Sequence, residues 1–149
     1  MRYPGHRVPR IALGTAAIVV GCLVHFLGNK LIGIRIELYH GLETFNFLWF
    51  LELFILPVIV GISVSYVFGF GGKWLAHFPP LIVLMYQYLE TIYIIGAVPE
   101  GSSLMPMAWW GFFVILAIEC SAAGGVIGEI WFKAYFKEND PSVKRVQPK

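Results

Sequence analysis

Residues 44–68, "TFNFLWFLELFILPVIVGISVSYVF", form a continuous apolar stretch that contains a single charged side chain, Glu52. A helix needs about 20 mostly apolar residues to cross the hydrocarbon core of a bilayer. This stretch therefore predicts a membrane-spanning helix. Pro57 in its middle predicts a kink, because proline leaves the carbonyl of Leu53 without its usual hydrogen-bond donor.

Three further segments have the same character, at residues 11–33, 78–98 and 104–132. The whole chain is 58% hydrophobic and 13% charged, with a mean hydropathy of +0.72. Soluble domains carry about 25% charged residues. The sequence therefore predicts an all-α integral membrane protein whose residues 11–136 form a single bundle of four transmembrane helices.

The distribution of Lys and Arg predicts the orientation of these helices. Basic residues are concentrated in cytoplasmic loops of membrane proteins. Nine lie in the segment before the first helix, in the turn at 69–77, or after the fourth helix, against only Lys30 and Arg35 on the other side. We therefore expect both termini in the cytoplasm, as a basic arm at 1–10 and a charged, disordered tail at 137–149.

Small residues predict which helix faces pack together, because helices approach closely in membranes where side chains are short. Gly21 belongs to such a face in the first helix, and Gly124 with Gly128 forms a G-x-x-x-G in the fourth. The expected partners are the lipid bilayer and either other transmembrane subunits or further copies of the chain. The sequence lacks the basic patch that would indicate binding to nucleic acid. Cys22 and Cys120 lie in apolar segments, where no disulfide framework is expected.

Ionisable side chains inside the predicted helices are the candidate functional residues, since charge at membrane depth is costly and usually marks a site or a paired contact. Counting residues from the helix ends places His25, Glu52 and Glu90 in one layer, about 10–12 Å below the outer surface. Tyr86 and Tyr93 are expected to support Glu90 from the same helix face. Glu119 is a second intramembrane carboxylate, expected to pair with a partner chain or face an inner cavity.

Three interpretations of this layer remain open. A carboxyl group and an imidazole in a low-dielectric site can share a proton, which makes a reversible proton or cation site the leading hypothesis. One His and two Glu are also a ligand set for a divalent metal ion, in a membrane metalloenzyme or its accessory subunit acting on a lipid or small apolar substrate. The third interpretation is a purely structural or assembly subunit, in which these groups only stabilise the bundle.

The segment "RIELYHGLETFNF", residues 35–47, precedes the second helix on the outer side. Its E-x-x-H at Glu37 and His40 is a single copy, whereas di-iron helical bundles use two such motifs and two further glutamates. Arg35 and Glu37 are expected to be solvated interface groups. His40 and Glu43 are expected to support the buried layer as part of a polar lid or entrance above it.

Overall fold

The computed structural model describes residues 9–95 and 98–138, so most of the predicted arm and tail lies outside the described residues. The described chain is almost entirely helical, with one pair of two-residue strands. The elements are α1 (Arg10–Ile32), β1 (Leu38–Tyr39), α2 (Phe47–Phe68), α3 (Gly72–Leu75), α4 (Phe78–Leu89), β2 (Ser103–Leu104) and α5 (Met107–Glu138).

Three of these helices, α1, α2 and α5, are long and apolar enough to cross a membrane. The chain is therefore a membrane-associated, α-helical protein. The predicted third span at 78–98 is less regular. Its α-helix, α4, has 12 residues and continues as a six-residue π-helical turn, Glu90–Ile95.

A second π-helical turn, Leu51–Ile55, interrupts α2. Within it the backbone N–H of Leu56 donates to the carbonyl of Leu51, five residues earlier. Pro57 follows directly and has no N–H to close an ordinary helical turn, so the wider turn forms where the sequence predicts a kink. Glu52 lies inside this π turn and Glu90 begins the other, and such turns occur frequently at functional sites.

Glycines bring α1 into contact with two neighbours. A Cβ atom at Gly21 would lie 2.6 Å from the side chains of both Val64 in α2 and Pro79 in α4, and one at Gly28 would collide with Leu56. Residue numbers rise along α1 while they fall along α2, so these two helices are antiparallel. They rise together along α1 and α4, so that pair is parallel.

The contact between α2 and α5 is even closer. A Cβ at Gly61 would collide with the carbonyl oxygen of Ser121, and one at Gly124 with that of Val58. Gly128 faces Ile62 in the same crossing. The predicted G-x-x-x-G therefore packs inside the molecule, and α2 and α5 run in the same direction.

A cap of two loops closes the end of the helices that the sequence predicts to face the outer side, and we therefore call it the outer cap. It consists of residues 33–46 and 98–106, which are joined where Leu38 pairs with Leu104 in the antiparallel β1–β2 ladder. The backbone N–H of Met105 also donates to the carbonyl of Glu37, at 2.8 Å. Ile36 is 1% exposed and packs in the apolar core with Met105. The cap is thus part of the folded core and covers the polar groups beneath it.

Candidate functional site

A cluster of polar side chains lies directly beneath the outer cap. The Arg35 guanidinium donates to the hydroxyl of Thr91 at 3.1 Å and to a carboxylate oxygen of Glu90 at 3.2 Å. The Thr91 hydroxyl lies 2.8 Å from a carboxylate oxygen of Glu37 and 3.0 Å from the carbonyl of Gln87, and its proton can go to either acceptor. Cap and α4 are therefore joined through side chains at this point.

Glu37 is the residue that sequence reasoning placed wrongly. We expected it at the solvated interface, but it is 1% exposed, while Arg35 remains about one third exposed. The β1–β2 pairing and the burial of Ile36 draw this part of the cap into the bundle, and Glu37 is carried in with them. No periodicity in a short loop could have revealed this, because the cap is ordered by a pairing with residues far along the chain.

Glu52 is the second buried carboxyl group, at 2% exposure. Neither of its carboxylate oxygens has a hydrogen-bond partner among the described residues. Glu37 lies close enough to act on Glu52 electrostatically. Two acidic side chains from different parts of the chain are therefore buried within electrostatic range of each other, which is unfavourable unless a positive charge or a proton compensates.

The cluster contains fewer positive charges than acidic groups. Its carboxyl groups belong to Glu37, Glu52 and Glu90, and Arg35 makes both ion pairs found in the described part of the chain, to Glu90 at 3.2 Å and to Glu37 at 3.9 Å. Lys30, at the same end of the bundle, lies instead over the ring of Phe26. If all three carboxyl groups were ionised, the cluster would be two positive charges short of neutrality.

The helix registers show how the three predicted residues are distributed. The α1–α2 and α1–α4 contacts place Glu52 and Glu90 both near the level of Ile32. His25 lies seven residues earlier in α1, about 10 Å deeper at 1.5 Å per residue. The structure therefore brings Glu52 and Glu90 to one level together with Glu37, and it separates His25 from them by about two helical turns.

Asn29 and Gln87 occupy the intermediate level. The Asn29 amide donates to the side-chain carbonyl of Gln87 at 3.0 Å, and both residues are buried. His25 follows one turn deeper on the same face of α1, fully buried, with neither ring nitrogen hydrogen-bonded to a described residue. The sequence carries a signal for this polar row. His25 and Asn29 are spaced at i and i+4, and Gln87 and Thr91 repeat that spacing.

An outer pocket of about 320 Å³ opens above the cluster. Arg35, His40 and Glu43 contribute its ionisable lining, and Trp49 forms part of its apolar wall. His40 and Glu43 are both exposed. Arg35 thus has access to the pocket on one side and contacts the buried Glu37 and the partly exposed Glu90 on the other.

The remaining predicted residues lie elsewhere. Tyr86 and Tyr93 are 48% and 78% exposed, so they face away from the bundle, and Gln87 and Thr91 take the inward positions on α4. Glu119 is exposed on the outer face of α5 rather than facing an inner cavity. At the opposite end of α5, Glu129 accepts hydrogen bonds from the backbone of Gly71 and Lys73 and has a structural role at the start of α3.

The described residues do not form a ligand set for a metal ion. Within residues 9–95 and 98–138, no three side chains of His, Cys, Asp or Glu are grouped so that they could hold one metal ion. Comparison with known proteins gives no family to guide the assignment, since neither a family model, nor a curated protein, nor a solved structure matches this chain.

Proposed function

We propose that the chain is a four-span membrane protein that binds a proton or a small cation reversibly between Glu37 and Glu52. In this proposal both termini are cytoplasmic, and the cation exchanges with the outer side of the membrane. The three apolar helices support the membrane location. The antiparallel course of α1 and α2, with α4 parallel to α1 and α5 parallel to α2, supports an alternating passage of four segments.

The observation that carries the proposal is the burial of two carboxyl groups, each at most 2% exposed, within electrostatic range of one another. Arg35 lies 3.9 Å from Glu37 but is hydrogen-bonded to Glu90 and Thr91, so it does not neutralise both acids. Isolated charges are strongly disfavoured in a protein interior unless they are paired or neutralised. A proton or monovalent cation held between Glu37 and Glu52 supplies one of the two missing positive charges, and the Glu90 carboxylate, which is 28% exposed, keeps contact with solvent.

Exchange with the outside takes place through the outer pocket, past Arg35. His40 and Glu43 at its mouth give the approaching cation polar contacts before it is dehydrated. The π turn Leu51–Ile55 gives Glu52 room to move, because it is wider than a regular helical turn and Pro57 leaves it without a complete hydrogen-bond ladder. The cluster thus combines a buried binding pair with a route to the surface.

A proton relay from the buried pair toward the cytoplasmic side would need His25 as its next proton acceptor. Asn29 and Gln87 carry no ionisable proton, so the hydrogen bonds between the two levels do not by themselves pass protons to the imidazole. The function that these contacts favour is therefore binding and exchange at the outer level. His25 would take part only if water entered the helices between the two levels.

The test is the dependence of thermal stability on the cation, measured on purified protein in lipid nanodiscs. A ligand that binds only the folded state stabilises it by mass action, by about 1.4 kcal/mol for each tenfold excess above its Kd. Protons, sodium, potassium and calcium are titrated separately. We expect one of these cations to raise the melting temperature. Glu52→Gln and Glu37→Gln should each remove most of that dependence.

Glu100→Gln is the matched control, because Glu100 is an exposed residue of the outer loop. It should follow the wild-type titration curve. A melting temperature that none of the cations changes, or a dependence that survives in both buried-site variants, would leave only the structural interpretation of the cluster.

A further inference from the structure

The outer seam of α5 is an exposed side of this helix that faces away from the neighbouring helices. It runs along one side of the helix every three or four residues and comprises Phe112, Ile115, Glu119, Ala123, Val126 and Ile130, all of them exposed. The corresponding exposed residues of α1 are purely apolar in the middle of the helix, at Val19, Leu23 and Leu27. A lipid-facing surface needs no carboxyl group, and the seam contains one.

Glu119 lies 12 residues after Met107, which places it about 18 Å along α5. This position is inside the apolar part of α5 that is long enough to cross a membrane. No hydrogen bond or ion pair connects it to another residue of the described chain. Ionisable residues at membrane depth almost always face a bundle interior or a cavity and pair with another polar group. A partner for Glu119 would therefore come from outside the part of the chain that the structure describes.

The opposite side of α5 is already occupied. Gly124 and Gly128 pack against Val58 and Ile62 of α2, so the G-x-x-x-G cannot serve a second helix. The seam is the face of α5 that remains free over its membrane-spanning length. Ala123, one turn from Glu119, is short enough for a neighbouring helix to approach closely.

We propose that the outer seam is a homodimer interface in which Glu119 hydrogen-bonds to Glu119 of a second copy. Copies inserted in the same membrane share one orientation, so a two-fold axis along the membrane normal brings two α5 helices together in parallel. Identical residues then meet at the axis. A neutral carboxyl group has both a donor and an acceptor and is complementary to itself, which a lysine or arginine is not.

The proposal is independent of cation binding, although it uses the transmembrane placement of α5. Its test is disulfide cross-linking in native membranes, with Cys22 and Cys120 replaced by Ala and one new cysteine introduced. Ala123→Cys in the seam should form a cross-linked dimer on oxidation. Leu23→Cys is the matched control on α1, where the residue is 54% exposed, and should remain monomeric.

The contribution of Glu119 is measured in the Ala123→Cys background. Glu119→Leu removes the hydrogen bonds without adding charge and should reduce the cross-linked fraction at least fivefold. Glu119→Gln keeps a donor and an acceptor and should retain more than half of it. The melting temperature of each variant shows that the monomer is folded.

Equal cross-linking at positions 123 and 23 would overturn the proposal, and so would an unchanged dimer fraction in Glu119→Leu. Cross-linking through a different protein, visible as a band that is not twice the monomer mass, would also overturn it. Glu52→Gln in the Ala123→Cys background should cross-link like Ala123→Cys alone. A failed cation titration and a failed dimer are therefore separate results.

Discussion

Arg35 is the residue on which the outer cluster depends most. Its guanidinium reaches Glu90, Thr91 and the edge of Glu37 at once, and about one third of it remains exposed to the outer pocket. Such a fork of donors is specific to arginine, because lysine presents a compact charge without fixed geometry. The residue thus links the accessible part of the cluster to the buried part.

Thr91 is the residue whose hydroxyl joins Arg35 to Glu37, and its substitution gives a first prediction. Thr91→Val keeps the shape of the side chain and removes the hydroxyl that contacts both charged groups. We expect the free energy of unfolding to fall by about 1–3 kcal/mol, since buried charged groups lose a partner. Chemical denaturation in detergent measures the change.

Thr15→Val is the control for this substitution. Thr15 is exposed and its hydroxyl bonds only the carbonyl of Ile11, in its own helix. Its loss should change the unfolding free energy by less than about 0.5 kcal/mol. Equal effects of the two valine variants would show that the Thr91 hydroxyl contributes nothing particular to the cluster.

The individual residues also show how far sequence reasoning reaches. Charge at membrane depth identified Glu52 and Glu90 as unusual, because such residues need a compensating contact wherever they lie. Counting from helix ends misjudged the level of His25, since α1 and α2 are offset along their axes by their glycine contacts. Glu37 was missed because its burial depends on the pairing of the two outer loops.

Among the helices, the two π turns and the glycine contacts determine where the polar groups lie. Pro57 predicted a kink in α2. In the structure the helix is interrupted there by the π turn that contains Glu52. The turn at Glu90–Ile95 has no proline directly after it, the next one being Pro99, and it was not predictable from local sequence. Glycine at position 61 lets α2 approach α5 until backbone touches backbone.

Gly61→Ala tests this helix contact. The added methyl group would collide with the carbonyl oxygen of Ser121, and neither backbone can move aside easily. We expect the unfolding free energy to fall by about 1–3 kcal/mol, as in overpacked cores. The measurement is reversible unfolding in mixed micelles.

Gly111→Ala provides the comparison within α5. Nothing lies within 4 Å of a Cβ atom at Gly111, so the substitution adds only helix propensity. It should leave stability unchanged or raise it by up to about 1 kcal/mol. If Gly61→Ala is as harmless as Gly111→Ala, the close α2–α5 contact does not exist in the membrane.

For the whole molecule, composition alone predicted a helical membrane protein, because 13% charged residues cannot cover a soluble surface of this size. Three helices meet the length and hydropathy that a span requires, and the fourth predicted span divides into α4 and a π turn. The cap was beyond prediction, since it depends on a pairing between two distant loops. Orientation across the membrane stays a prediction from the distribution of Lys and Arg.

Cysteine labelling in intact cells tests that orientation. With Cys22 and Cys120 replaced by Ala, Leu42→Cys in the outer cap should react with a membrane-impermeant maleimide. Phe70→Cys, between α2 and α3, should react only after the cells are opened. Both positions are exposed, at 92% and 65%, so accessibility within the protein does not separate them. The reverse pattern would invert the topology, and labelling of both from outside would be incompatible with it.

Infrared spectroscopy shows whether Glu37 and Glu52 share a compensating cation, as we propose. In choline buffer, where the proton is the only small cation, we expect a protonated-carboxyl stretching band at neutral pH. Measured in the Glu119→Gln background, so that the proposed dimer contact adds no carboxyl band of its own, the band should be absent in Glu52→Gln and present in Glu100→Gln. Addition of a cation that binds between Glu37 and Glu52 should remove this band, because the cation replaces the shared proton. If the spectrum of Glu52→Gln in this background is identical to that of Glu119→Gln alone in this region, the two carboxyl groups do not share a proton and the proposed site is wrong.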